Sequence, residues 1–69
     1  MAYDCKTIAT ELTATALGQS HFGNALRVAK DIPGMTPEDR SVIDRFATGA
    51  NSANDGWRLQ EIANKIAAN

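Results

Sequence analysis

The sequence predicts an all-α fold, a compact bundle of four short helices. Three observations carry that prediction. Apolar residues recur at i, i+3, i+4 and i+7 in four separate segments, and Gly, Pro and polar clusters separate those segments. Alanine is abundant, at 12 of 69 residues, whereas aromatics are limited to Tyr3, Phe22, Phe46 and Trp57. That balance favours helices packed closely through small side chains. No pair of alternating runs flanks a hairpin turn, so nothing competes for a sheet.

The first helix is expected over about residues 4–17. Cys5, Ile8, Ala9, Leu12 and Ala16 fall on one face, and Asp4 is placed to cap the N-terminus. Thr7, Thr10, Thr13 and Thr15 are poor helix formers, but a lone strand here would have no partner. Gly18 is the natural stop. The second helix is expected over about 21–32, capped by Ser20 and ended by Pro33-Gly34. Phe22, Ala25, Leu26, Ala29 and Ile32 make its stripe, with Val28 on the flank.

The third helix, about 37–48, has the clearest start: Thr36 caps, Pro37 takes the first helical position, and Glu38 and Asp39 follow in the first turn. Val42, Ile43, Phe46, Ala47 and Ala50 are its expected buried face, and Gly49 terminates it. Residues 51–56 read as a polar connection. The fourth helix then runs over about 56–67 with Leu59, Ile62, Ala63 and Ile66 inward.

Composition bounds the function. A chain of 69 residues is one small domain, 1–69, too short for the barrel and doubly wound folds that house most deep enzyme clefts. Its 43% apolar and 22% charged residues place it among globular rather than disordered chains. The net charge of −1 argues against a strong grip on nucleic acid. A single cysteine, Cys5, excludes an intrachain disulfide and points to a reducing, cytoplasmic home. The N-terminus has no signal-peptide pattern, and no apolar run is long enough to span a membrane.

Catalytic and metal roles are not expected. His21 and Cys5 are each the only one of their kind, and a metal site needs several ligands. No cofactor motif is present: Gly18 and Gly23 have a phosphate-loop spacing but Asn24-Ala25 stands where Lys and Ser/Thr are needed.

What remains is the outside of the bundle. Trp57 projects about 160° from Leu59 at 100° per residue, off the inner stripe. It is read either as an interface anchor or as an aromatic folded back over the first helix or Tyr3. Arg27, Lys30 and Asp31 lie on the outer side of the second helix, and Arg40, Asp44 and Arg45 on that of the third. Local i,i+3 and i,i+4 pairs are expected at Arg40–Asp44, Arg27–Asp31, Glu61–Lys65 and Arg58–Glu61. Trp57, Arg40, Asp44, Arg45, Arg27, Lys30 and Glu61 are therefore the candidate partner-binding residues.

The leading expectation is a non-enzymatic protein–protein interaction module, an inhibitor or regulator of the kind that phages and mobile elements encode, acting by stoichiometric binding to a larger protein. One alternative is a helix-turn-helix DNA-binding regulator, in which a second helix beginning after Gly18 would expose His21, Asn24, Arg27 and Lys30. Another is a self-assembling homo-oligomeric structural subunit.

Overall fold

The computed structural model describes residues 4–68. They form four helices, α1 (Cys5–Ala16), α2 (Gly23–Ala29), α3 (Pro37–Thr48) and α4 (Ala53–Ala67), and no strand among the described residues. The all-α four-helix reading therefore stands. No described helix is long and apolar enough to cross a membrane.

α1 begins where the sequence places it. The Asp4 carboxylate accepts the Thr7 N–H at 2.7 Å, which satisfies one of the unpaired first-turn donors. The threonines are accommodated by back-bonding one turn down: Thr10 Oγ1 donates to the Lys6 carbonyl, Thr13 to Ala9 and Thr15 to Glu11, each at 2.9 Å. Each hydroxyl is thereby satisfied without competing for the helical N–H groups. Gly18 adopts φ 74°, and the Gly18 and Gln19 N–H groups donate to Thr15 and Ala14. This left-handed closure requires a residue without a Cβ strain penalty. Gly49 closes α3 in the same way, with Ala50 N–H donating to Arg45.

α2 is shorter than the sequence predicts. It covers seven residues, with Phe22 rather than Ser20 at the N-cap and no side-chain cap hydrogen bond. Phe22 is instead tied to α1, its N–H pointing at Thr15 Oγ1 at 3.4 Å. At the other end, Asp31 and Ile32 N–H groups bond three residues back, to Val28 and Ala29. The helix has loosened into turns there, as the residue before Pro33 must leave the helical region.

α3 carries the full capping box: Asp39 N–H to Thr36 Oγ1 at 3.0 Å and Thr36 N–H to Asp39 Oδ2 at 3.1 Å. α4 starts three residues earlier than the sequence predicts. Asp55 sits at its third position and accepts the Ser52 N–H at 2.9 Å. That reach-back carboxylate is what converts residues 53–55 from connection to helix.

Ile8, Leu12, Leu26, Val42, Ile43, Phe46, Leu59, Ile62 and Ile66 form the core, with Ala9, Ala25, Ala29 and Ala63 between them. Met35, from the α2–α3 connection, joins it. Cys5, Ala16, Phe22 and Ile32 pack on its margin, half-buried. Ala47 and Ala50, expected inside, are exposed: the αL turn at Gly49 swings the chain out before Ala50, and α3 meets its neighbours through Val42, Ile43 and Phe46. α1 packs most extensively on α4, α2 bridges α1 and α3, and α3 leans on α4. The radius of gyration, 10.4 Å, is close to the ~11 Å expected of a close-packed chain of this length.

Candidate protein-interaction surface

Trp57 stands out of the bundle with 71% of its surface exposed, the most exposed large apolar side chain among the described residues. It does not fold back over α1; a contact with Tyr3 lies outside the described residues. Its position follows from the early start of α4. With the helix beginning at Ala53, Trp57 occupies the second turn, held outward by a preformed first turn.

The neighbour of Trp57 is set by a close helix approach. A Cβ on Gly56 would lie 3.3 Å from the Ala16 carbonyl oxygen, so the start of α4 nearly touches the end of α1. The residues that follow these two, Trp57 and Leu17, are consequently brought to the same end of the bundle. Leu17 is 54% exposed. Two large apolar side chains at one end of a small helical domain form the strongest candidate patch, of the kind that marks interaction sites.

The charged residues sort differently. Asp44 pairs with Lys30 across α2 and α3, not with Arg40. Arg45 makes a bidentate pair with Asp55, Nε to Oδ2 and Nη2 to Oδ1, both at 2.8 Å. Arg58 pairs with Glu38, and Lys65 with Asp39 at 2.7 Å. The expected local pairs Arg40–Asp44, Arg27–Asp31, Glu61–Lys65 and Arg58–Glu61 are not formed among these ion pairs. Each long side chain that does pair reaches another helix instead: Arg45 and Lys65 meet the sheltered capping carboxylates Asp55 and Asp39, whereas Lys30 and Arg58 meet the exposed Asp44 and Glu38.

Lys30, Asp44 and Arg45 are thus engaged within the fold. Arg27 lines a cleft between α2 and α3 with Lys30 and Asp44. Arg40 is exposed and joins none of the four ion pairs among the described residues. Glu61 is exposed one turn beyond Trp57 and borders a small polar cleft with Arg58 and Lys65. The candidates therefore do not converge on one site: Trp57 and Glu61 share the outer side of α4, while Arg27, Lys30 and Asp44 cluster on α2–α3.

Asp55 is the residue that sequence reasoning missed. Its side chain is 7% exposed, and its carboxyl lies well below the ordinary carboxylate range, first through the Arg45 hydrogen bonds and then through the Ser52 N–H. Asp39 is pulled the same way: burial opposes its charge, but the hydrogen bonds from Lys65 and the Thr36 N–H outweigh it. Asp4 is lowered by the Thr7 N–H. Each shift is explained by a helix cap or by an ion pair between helices. The Ser52-x-x-Asp55 spacing was the available signal.

Among the described residues, no three His, Cys, Asp or Glu side chains come together as a metal-binding group. The segment read as a recognition helix yields seven helical residues that expose Asn24, Arg27 and Val28, with Lys30 drawn to Asp44. Comparison with family models, with curated proteins and with solved structures yields no match.

Proposed function

We propose that the chain is a non-enzymatic protein-binding module that regulates or inhibits a larger protein by covering part of its surface. The observation that carries this reading is the Trp57–Leu17 patch at the joined ends of α1 and α4. An exposed tryptophan beside a leucine, on a scaffold that fixes both, suits the centre of an interface, where Trp dominates binding energy. Glu61 and the Arg58–Glu38 pair supply polar groups near it for a rim. Binding needs no chemistry from the chain itself.

The test is capture of the partner from a lysate of cells that carry the protein, followed by titration of the purified pair. Trp57→Ala is expected to weaken binding by at least about 30-fold, the equivalent of a ~2 kcal/mol hot spot. Arg27→Ala, on α2, is expected to change it by less than about threefold. Equal affinity of wild type and Trp57→Ala removes the proposed surface.

A further inference from the structure

Met35 is the one core residue among those described that no helix carries. The other side chains of the buried cluster belong to α1–α4, whereas Met35 stands on the connection between α2 and α3, only 6% exposed. A side chain on a helix leaves the core only if the i→i−4 bonds around it break as well. Met35 is fastened more lightly. Pro33 has no N–H to donate, and the Met35 N–H reaches the Ile32 carbonyl at 3.4 Å, longer than the ~2.9–3.0 Å of an ordinary bond. Gly34 beside it holds φ 96°, a conformation open to it because it has no Cβ.

The connection is closed from its far side. The Thr36 N–H donates to Asp39 Oδ2 and Thr36 Oγ1 accepts the Asp39 N–H, so the residue after Met35 is clasped to the start of α3. The Asp39 carboxylate in turn holds Lys65 of α4 at 2.7 Å. Residues 33–35 are thus a short flap, with a glycine hinge inside it and a hydrogen-bonded clasp at its end. Segments with few hydrogen bonds of their own open locally, at a lower free energy than the whole fold.

We propose that Met35 is a reversible oxidation site, exposed to hydroperoxides when this flap opens, and that its sulfoxide holds the flap open. The thioether sulfur attacks the outer oxygen of the peroxide. The O–O bond breaks and a sulfur–oxygen bond forms. Sulfur is oxidised by two electrons, and the peroxide is reduced to water or an alcohol, its leaving oxygen taking the proton. The sulfoxide is polar, and returning it to a cluster of aliphatic and aromatic side chains costs free energy with no hydrogen bond in exchange. A methionine sulfoxide reductase reverses the step. The flap joins α2 to α3, whereas Trp57 and Leu17 lie at the joined ends of α4 and α1, so this reading and the proposed binding surface fail separately.

Treatment of the full-length chain with hydrogen peroxide in the absence of denaturant, followed by peptide mass spectrometry, tests the proposal. Met35 is expected to gain an oxygen faster than the whole fold opens, so that low urea concentrations change its rate far less than they change the global unfolding constant. Thr36→Ala undoes the clasp and is expected to speed the oxidation at least about fivefold. Asp4→Ala, which removes the corresponding cap of α1, is expected to leave the rate within about twofold. The oxidised chain is expected to unfold at least about 7 °C lower, and the reductase to restore the midpoint. Met35→Leu, a swap of similar volume, is expected to fold and to keep its midpoint after the same treatment, although Cys5 and Met1 remain. Equal acceleration by the two cap variants overturns the proposal, as does a urea dependence as steep as that of global unfolding. So does a midpoint that peroxide leaves unchanged in the wild type, or lowers equally in Met35→Leu.

Discussion

Trp57 and Leu59 are two residues apart on α4, and the structure gives them opposite weights in stability. Trp57 buries a little under a third of its surface. Of the roughly 250 Å2 of a large aromatic side chain, that is ~70 Å2, equivalent to at most about 1.8 kcal/mol at ~25 cal/mol/Å2. A compact unfolded chain already buries part of it, and alanine is the better helix former by several tenths of a kcal/mol. Trp57→Ala is therefore expected to cost about 1 kcal/mol or less of stability. Leu59 is fully buried, and truncating such a leucine removes transfer energy and leaves a cavity, together about 2.7–5 kcal/mol. A domain of this length has only ~3.5–10 kcal/mol to lose. At an unfolding entropy of ~2.1 cal/mol/K per residue, 3 kcal/mol lowers the midpoint by about 20 °C and 1 kcal/mol by about 7 °C. Thermal and urea unfolding followed by circular dichroism measures both. A Trp57→Ala midpoint as low as that of Leu59→Ala would refute the outward placement of Trp57, and with it the argument for an interface.

Three further outcomes are expected. Asp55, Asp39 and Asp4 all have carboxyls held below their unfolded values, so their contribution is fully present above the unfolded carboxylate range, near pH 4, and is lost as pH falls through the lower folded values; urea midpoints recorded from pH 7 to 2 should fall below pH 4, and more shallowly for Asp55→Asn. Asp55→Asn should itself lower the pH 7 midpoint, and in a double-mutant cycle with Arg45→Met the two losses should be strongly less than additive; additive losses would mean that the bidentate pair contributes nothing. Gly56→Ala should fail to deliver the ~1 kcal/mol that helix propensity offers, because the new methyl meets the Ala16 carbonyl at 3.3 Å and the Gly18 closure pins that end of α1; a midpoint raised by several degrees would show that the helices part without cost.

The helices were legible because their inner stripes are strictly periodic and because Asp4, Thr36, Gly18 and Pro37 act through local chemistry. The errors came from interactions that periodicity does not encode. Ser20 looked like a cap, but Phe22 is held by Thr15 on another helix, and α2 starts late. Residues 51–56 read as a loop because Gly and Asn are poor helix formers, yet the Asp55 carboxylate closes a box with Ser52 and pairs with Arg45. The site was legible only in part. Helical projection finds that Trp57 is off the stripe, but the approach of Gly56 to Ala16, which gives it Leu17 as a neighbour, is a tertiary fact. The charge pairs escape helical spacing for the same reason: a side chain as long as Lys65 chooses among carboxylates on every helix in reach.

α4 is joined to its two neighbours by different chemistry. Against α1 it presents Gly56 and Ala63, a seam held by close approach of small groups and indifferent to ions. Against α3 it presents Asp55, Arg58 and Lys65, each bound to a charge opposite. Added salt screens the exposed Arg58–Glu38 bridge most, the half-buried Lys65–Asp39 bridge less, and leaves the half that contains the sheltered Asp55 carboxylate largely untouched. Rising ionic strength therefore loosens α3 from its N-terminal end while the α1–α4 pair stays shut. Hydrogen exchange should record this as a polarised opening that pivots on Arg45 and Asp55, so that the bundle yields as a hinge rather than swelling evenly.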